Sequence, residues 1–259
     1  MTWIKLLVTV WYFLCFFARG GVIMLFTHDR IKRHHLNAKN TSKACSKMIK
    51  LLDIQVKLTN PEKWSLLEKD NYLIIANHVS YLDIAILTSI RPLLFITSNE
   101  MKNTPFLGQL TQLGGSLYTD RKKFTGIMGE IKNFATFLQD GFNVVLFPEA
   151  TSTDGKQLRP FKKSLFQVAI EAEKPVLPIC IKYLSSQGQA ISDKNRDNFY
   201  WYGDMSFLPH FLRLIKTKNT LIEVTILNEI PVTSQSNRKS LNDNAFTQIS
   251  EKYYSYRYL

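Results

Sequence analysis

The sequence has few cysteines. Its 259 residues include three, Cys15, Cys45 and Cys180, which are widely separated along the chain. They form no Cys-x-x-Cys pair and have no histidine nearby at ligand spacing. This pattern argues against a disulfide framework or a cysteine-based metal site, and it favours a reduced compartment.

Acidic residues are also scarce. The chain has 21 Asp and Glu residues against 33 Lys and Arg, which gives a net charge of +12. Between residues 30 and 63, Asp53 and Glu62 are the acidic residues that oppose a basic set: Arg30, Lys32, Arg33, Lys39, Lys43, Lys47, Lys50, Lys57 and Lys63. Because this stretch follows an apolar segment, it predicts contact with anionic membrane lipids. A nucleic-acid partner is not expected, since no recognisable binding motif accompanies the charge.

Three histidines, His28, His34 and His35, lie near the start of the basic stretch. Apart from Asp29, which directly follows His28, they lie in a basic run without acidic or thiol partners. We therefore predict no metal site and interpret these histidines as part of a solvated or headgroup-facing surface.

One long apolar run lies at residues 6–26. It is nearly long enough to span a hydrocarbon core of ~30 Å, but Arg19, Gly20 and Gly21 interrupt it. An arginine near the bilayer centre is costly unless it snorkels, so the run predicts either one tilted span or a bent hairpin in one leaflet. No convincing cleavage site follows, which argues against a signal peptide. The basic residues after the run predict an inner-membrane protein with its main domain on the cytoplasmic side.

After the basic stretch, short apolar runs alternate with longer amphipathic ones. The apolar runs predict buried strands at 72–76, 93–97, 143–147, 176–181 and 221–227, and the amphipathic ones predict helices at 80–90, 122–139, 164–172 and 205–215. This alternation predicts an α/β domain with a largely parallel sheet flanked by helices. We divide the chain into an anchor at 1–27, a basic amphipathic membrane-proximal segment at 28–63 and a main domain at 64–259. The Tyr-rich C-terminal stretch is either a closing helix or a frayed tail.

A histidine and an aspartate follow the first of these predicted strands. The strand ends at Asn77 and a helix begins near Ser80, which places His78 on the connecting turn, where sites in α/β proteins form. On one ideal helix, five residues would rotate His78 and Asp83 ~140° apart. With His78 on the turn and Asp83 one turn into the helix, the carboxylate can orient the imidazole and stabilise its cation. The alternative is that either residue simply caps the helix or binds backbone.

A second polar turn follows the strand predicted at 143–147. It contains Glu149, Thr151, Ser152 and Thr153. Their hydroxyls and the backbone amides that follow can hold an anionic group, although serine and threonine after a strand often only cap a helix.

Together these segments resemble the glycerolipid acyltransferase family that includes the bacterial lysophosphatidic-acid acyltransferases. Four blocks match in order across residues 72–181: Asn77, His78 and Asp83; Gly115, Tyr118 and Arg121; Phe147, Pro148, Glu149, Ala150 and Thr151; and the proline-containing strand around Pro178. The resemblance implies that residues 64–259 form an acyltransferase domain.

The resemblance implies transfer of a fatty acyl group from acyl-CoA or acyl carrier protein to the free hydroxyl of a lysolipid, with no further cofactor. The leading acceptor is 1-acyl-sn-glycerol 3-phosphate, which would become phosphatidic acid. His78 would act as general base and Asp83 would orient it, so that the acceptor oxygen attacks the thioester directly. Ser80 stands in no Gly-x-Ser-x-Gly elbow, and a covalent acyl-enzyme is not expected.

The resemblance also implies an acceptor site. Its residues would be Gly115, Arg121, Glu149, Ala150 and Thr151. The guanidinium of Arg121 suits the acceptor phosphate, although it can alternatively form a surface salt bridge with a neighbouring aspartate. Glu149 would shape the acceptor pocket or serve as a buried structural acceptor.

One departure leaves the acceptor open. The family commonly has Gly, Thr and Arg after the Glu, whereas this chain has Ala150, Thr151 and Ser152. Either Arg159 and Lys162, with the neighbouring Lys163, supply the missing charge, or the acceptor carries no phosphomonoester.

The Thr-Ser-Thr-Asp-Gly run at 151–155 and the aromatic run at 201–205 also resemble a bacterial branch that includes lyso-ornithine-lipid acyltransferases. Lyso-ornithine lipid, or another lysophospholipid, is therefore a rival acceptor. We interpret the run at 201–205 as an aromatic corner packed on the sheet. A catalytically silent, membrane-anchored lipid-binding protein is the alternative from a different class.

Overall fold

A computed structural model describes residues 2–120 and 126–255. Its helices are α1 Thr2–Phe26, α2 Arg30–Leu51, α3 Leu66–Lys69, α4 Tyr81–Ile90, α5 Asn99–Lys102, α6 Leu107–Leu113, α7 Ile127–Gln139, α8 Gln167–Ala172, α9 Phe207–Leu214 and α10 Arg238–Tyr254. Its strands are β1 Ile54–Thr59, β2 Leu73–Ala76, β3 Leu94–Ser98, β4 Leu117–Thr119, β5 Val144–Leu146, β6 Val176–Ser186, β7 Gln189–Ala190 and β8 Thr220–Ile226.

The strands form one sheet in the order β1-β8-β6-β2-β5-β3-β4, and β7 pairs with β6. Strand β6 runs antiparallel to β8 and β7, and the other pairs are parallel. The predicted α/β fold with a largely parallel sheet is thus confirmed. Each predicted strand run overlaps an observed strand, and the predicted helices at 80–90, 164–172 and 205–215 contain α4, α8 and α9. The helix predicted at 122–139 contains α7, although its residues 122–125 lie outside the described ranges.

Strand β2 lies in the middle of the sheet and is buried on both faces. Leu73 and Ile75 pack into the core on one side, and Ile74 and Ala76 pack into the core on the other. Helices cover both faces, which explains why β2 reads as a continuous apolar run rather than an alternating one. This central position fixes the carboxyl end of β2, where His78 follows.

Strand β1 was not among the strands predicted from the sequence. The sequence predicts that residues 54–59 belong to the basic segment 28–63, but they pair in parallel with β8 at the edge of the sheet. Lys57 on this strand lies 3.2 Å from the carboxylate of Glu223 on β8. The sheet therefore begins at residue 54 rather than after residue 63. An edge strand tolerates polar side chains such as Gln55 and Lys57, and this composition conceals the strand in the sequence.

Helix α1 is continuous through Gly20 and Gly21, so the structure contains a helix rather than the bent hairpin. It packs against α2, whose Asn40 donates a hydrogen bond from Nδ2 to the Phe16 carbonyl at 3.2 Å. Gly20 lies against the side chain of Leu113 on α6, where a larger residue would meet it. By length and composition alone, α1 is long and apolar enough to cross a membrane. At the other end of the chain, α10 is the closing helix, and residues 256–259 lie outside the described ranges.

Asn77 extends the pairing of β2 with β6 beyond the end of the strand. Its Nδ2 donates to the Ile181 carbonyl at 2.9 Å, and its Oδ1 accepts from the Ile181 amide at 2.8 Å. Asn77 is fully buried, so these two bonds satisfy groups that water does not reach. The side-chain amide therefore acts as a substitute peptide group that fixes the start of the His78 turn.

We predict that Asn77→Ala lowers the free energy of unfolding by about 2–4 kcal/mol, because it leaves the Ile181 amide and carbonyl buried without partners. Denaturant unfolding of the purified chain measures this change. The matched control is Asn244→Ala on the exposed side of α10, which should change stability by less than ~0.5 kcal/mol. Equal stability of the two variants would contradict the assigned role of Asn77.

Candidate active site

The turn after β2 is built by hydrogen bonds to Asp83. Helix α4 begins after Ser80, whose backbone is extended and whose Oγ accepts from the Leu82 amide. Asp83, one turn inside the helix, accepts at Oδ2 from the amides of Val79 at 2.8 Å and Ser80 at 2.9 Å. This capping arrangement holds the helix start and the preceding turn as one unit.

The same carboxylate binds His78. Nδ1 of His78 lies 2.9 Å from Asp83 Oδ2, and the Tyr183 hydroxyl donates to Asp83 Oδ1 at 2.8 Å. Because a carboxylate accepts, this contact favours a proton on Nδ1 and leaves Nε2 as the basic nitrogen. Among the described residues Nε2 has no hydrogen-bond partner, and His78 lines a cavity. The pair can therefore accept a proton from a hydroxyl group placed in that cavity.

The ring of His78 stacks on an aromatic side chain in addition to its hydrogen bond with Asp83. It stacks on Phe147 with ring centroids 4.1 Å apart and an interplanar angle of 13°. Phe147 stacks in turn on Phe95 of β3 at 6.0 Å. These contacts restrict rotation of the imidazole, and they place it against an apolar wall.

Glu149 stabilises the His78 turn through backbone hydrogen bonds. Its carboxylate accepts from the His78 amide at 2.8 Å and from the Arg159 amide at 2.9 Å. Burial raises the pKa of Glu149 to about 6, although the two amide hydrogen bonds oppose this shift. Glu149 does not line the cavity. Of the two roles considered from the sequence, the geometry matches a buried structural acceptor.

The cavity has a volume of about 470 Å³. Its walls include residues of α1, α2, α4, β3, α6 and α9, the turn at 150–152 and the segment 201–203. Most of the lining is aromatic or aliphatic, and no Lys, Arg, Asp or Glu from residues 2–120 or 126–255 contributes to it. This space suits a hydrocarbon chain that ends beside a polar reacting group.

The predicted acceptor residues separate into two groups. Ala150 and Thr151 line the cavity, and Ala150 has a left-handed backbone with φ +62° at the position where the family has Gly. Gly115, also left-handed, packs against Leu94 and His34 and does not line the cavity.

The basic residues predicted to bind phosphate are not brought to the cavity. The side chains of Arg159 and Lys162 are exposed and contribute nothing to its lining. They serve the turn through their backbones: the Arg159 amide donates to Glu149, and the Lys162 amide donates to the Pro148 carbonyl. The side chains of Arg159 and Lys162 therefore place no positive charge at the cavity wall. Arg121 lies outside the described residues.

Ser152, at the position of the family arginine, binds protein backbone instead. Its Oγ donates to the Trp201 carbonyl, while the Trp201 amide donates to the Val79 carbonyl at 2.9 Å. The segment around Trp201 is thereby tied to both polar turns. Trp201 and the two residues that follow line the cavity, whereas Phe199 and Tyr200 are buried in the core. Tyr202 also packs against the core cluster, so the run at 201–205 borders the cavity as well as the core.

A tyrosine and a histidine connect this wall to α9. The Tyr81 hydroxyl lies 2.8 Å from His210 Nδ1, and His210 Nε2 lies 3.0 Å from the Tyr200 carbonyl. A carbonyl only accepts, so Nε2 carries the proton and Nδ1 accepts from Tyr81. Burial lowers the pKa of His210 to about 4. These two hydrogen bonds require a neutral ring, because Nδ1 must be free of a proton to accept a hydrogen bond from Tyr81.

The sequence did not indicate Tyr183 or the Tyr81–His210 contact. Tyr183 is 100 residues from Asp83, and His210 is 129 residues from Tyr81. Tyr183 follows the strand predicted at 176–181. The alternation of side chains along that strand was the only local signal for the face of the sheet on which Tyr183 lies.

We predict that His210 makes stability depend on pH. Its folded pKa of about 4 lies below the ordinary value of 6.5, so its contribution is fully present above about pH 6.5 and is lost as pH falls toward 4. His210→Gln should flatten the fall in unfolding free energy across that window, as measured by denaturant unfolding at a series of pH values. Exposed His28→Gln is the matched control and should leave the slope unchanged. A His210→Gln slope identical to wild type would refute the assignment.

The family model for Acyltransferase matches residues 55–182. The chain is 30% identical over 177 residues to a lyso-ornithine lipid O-acyltransferase of Rhizobium meliloti (strain 1021), covering 66% of this chain and 61% of that protein. It is 32% identical over 171 residues to a 1-acyl-sn-glycerol-3-phosphate acyltransferase of Neisseria gonorrhoeae, covering 66% of this chain and 65% of that protein. The alignments thus span less than two thirds of these relatives.

A solved structure is also similar. The 1-acyl-sn-glycerophosphate acyltransferase PlsC from Thermotoga maritima superposes with a TM-score of 0.65 at 18% identity, covering 99% of this chain and 98% of that one. At this identity the likeness establishes the fold alone.

Proposed function

Because the family model for Acyltransferase matches residues 55–182, we propose that the chain transfers a fatty acyl group from a thioester to the free hydroxyl of a lysolipid. The observation that carries this proposal is the His78–Asp83 pair, joined at 2.9 Å, beside an apolar cavity. The leading acceptor is 1-acyl-sn-glycerol 3-phosphate, and the donor is acyl-CoA or acyl carrier protein. No other cofactor is required.

In the proposed reaction, Nε2 of His78 removes the proton of the acceptor hydroxyl as its oxygen attacks the thioester carbonyl. The tetrahedral intermediate then collapses, the carbon–sulfur bond breaks, and the imidazolium returns its proton to the leaving thiolate. Asp83 stabilises the transient cation through Nδ1, and its bond from Tyr183 keeps the carboxylate in place. No protein nucleophile takes part.

The cavity supports a long-chain substrate. Tyr12, Phe13 and Phe16 of α1 form part of its wall, so the apolar helix contributes to the site itself. Each methylene moved from water into such surroundings gains ~0.8 kcal/mol, which keeps substrate and product in the lipid phase. We therefore propose that residues 1–27 anchor the chain at the inner membrane, with the catalytic domain on the cytoplasmic side.

We propose that α2 meets the anionic headgroups of this membrane. It carries most of the basic residues that follow the apolar segment. Clusters of Lys and Arg beside an apolar anchor are attracted to anionic lipids at about 1 kcal/mol per charge.

We predict that His78→Ala lowers kcat/KM by at least ~10²-fold and that Asp83→Asn lowers it by ~10²- to 10⁴-fold, because the base or its orienting partner is lost. Labelled acyl thioester and lysophosphatidate, supplied to purified protein in detergent, give the rates. Exposed His28→Ala is the matched control and should keep wild-type activity. Full activity of His78→Ala would sink the mechanism, and an inactive wild type with every donor would favour a lipid-binding protein.

Ser152 favours a second candidate, which keeps the chemistry and changes the acceptor to lyso-ornithine lipid. Where the family has Arg, this chain has a hydroxyl that binds the Trp201 carbonyl. The described cavity lining also contains no cation that would pair with a phosphomonoester. An acceptor with an amino-acid headgroup does not need that cation.

We predict that Ser152→Arg shifts the ratio of kcat/KM for lysophosphatidate over lyso-ornithine lipid upward by about tenfold, because it adds a phosphate-binding charge. A competition assay with both acceptors measures the ratio. Ser152→Ala, the matched control, removes the bond to Trp201 without adding charge and should leave the ratio near wild type. An unchanged ratio in Ser152→Arg would mean that position 152 does not face the acceptor headgroup.

A further inference from the structure

Helix α9 has one face in the domain and one face outside it. His210, Phe211 and Leu214 are buried, whereas Leu208 is 62% exposed and Leu212 is 37% exposed. Four residues separate these two leucines, so they lie on the same side of the helix. Single exposed apolar residues are common on protein surfaces, whereas clustered ones often mark an interaction site. The two exposed leucines of this short helix therefore indicate a contact surface.

Aromatic side chains connect α9 to α1. Phe106, in the loop before α6, packs against Phe13 of α1 at 5.2 Å and against Phe207 of α9 at 5.7 Å. Phe13 also approaches Phe211 of α9 at 6.4 Å. Phe106 is itself partly exposed, and its backbone is left-handed with φ +65°. The aromatic cluster therefore links the two helices, and Phe106 is its exposed member.

Helix α1 presents an apolar stripe along its outer side. Trp3, Leu7, Trp11 and Leu14 follow helical spacing and are all exposed, while the opposite stripe packs on the domain. Aromatic and aliphatic side chains in this arrangement are typical of a helix that contacts a bilayer along its length. Phe106, which is also exposed, contacts both α1 and α9, and α9 carries the two exposed leucines.

Charge at the end of α9 is complementary to anionic lipid. Arg213, Lys216 and Lys218 are exposed and follow the two leucines along the chain. Apolar side chains next to a set of cations are the pattern of an interfacial helix, in which the former enter the acyl boundary and the latter meet headgroups.

We propose that α9 is a second membrane-contact element, in which Leu208 and Leu212 enter the bilayer surface beside α1 and the following cations bind anionic headgroups. Phe207 and Phe211 of α9 line the cavity that contains His78. Contact through both α1 and α9 thus places the cavity next to the lipid that supplies its substrate. The surface contact itself is independent of the reaction proposed above.

A fluorescent label tests this contact. In the full chain, Cys15 and Cys45 are changed to serine, Cys180 is left because it is buried, and Leu208→Cys carries a nitrobenzoxadiazole group. Vesicles of equimolar phosphatidylcholine and phosphatidylglycerol should shift its emission to the blue, and lipids with a nitroxide near the headgroup should quench it. The matched control is Met128→Cys on α7, also exposed and apolar, which should respond to neither.

A binding titration provides a second measurement. Leu208→Ser with Leu212→Ser should weaken vesicle affinity about tenfold, whereas Met128→Ser should not. A label at 208 that stays unchanged while the chain sediments with vesicles would overturn the proposal. So would a blue shift without vesicles that grows with protein concentration, since that result would assign the face to a second copy of the chain.

Discussion

The buried carboxylate of Asp83 accepts hydrogen bonds from the His78 ring, the Val79 and Ser80 amides and the Tyr183 hydroxyl. A buried carboxylate is costly unless its oxygens are satisfied, and these donors offset that cost. They come from the turn after β2, the start of α4 and strand β6. One side chain therefore joins three elements and orients the proposed base in the same geometry.

The remaining contacts around His78 hold the polar turns in register with this centre. Glu149 binds the backbone of His78 and of Arg159, so the turn after β5 is fixed to the turn after β2. Ser152 and Val79 fix the Trp201 segment in the same way. Substitution of the family arginine by serine thus exchanges a side chain suited to phosphate for one that supports a cavity wall. This exchange is the physical basis for proposing lyso-ornithine lipid beside lysophosphatidate as a candidate acceptor.

Helix α1 serves two purposes because its two sides differ. One side supplies Phe13 and Phe16 to the cavity, and the other exposes Trp3, Trp11 and further apolar side chains. In the proposed membrane-anchored arrangement, such a helix would contact lipid and form part of the site at once. The arrangement accounts for the location of the cavity between the N-terminal helices and the sheet rather than at a distance from the apolar surface.

Features that depend on local patterns could be predicted from the sequence. Apolar runs predicted the central strands, and the strand-to-helix transition around His78 and Asp83 predicted that the two side chains can meet, as they do at 2.9 Å. The distant residues that complete the site could be identified only after the chain was folded. Tyr183, the Trp201 segment and His210 reach it across long stretches of chain, and strand β1 was concealed because an edge strand accepts polar residues. Periodicity reports which side of an element is buried, but only folding determines what that side faces.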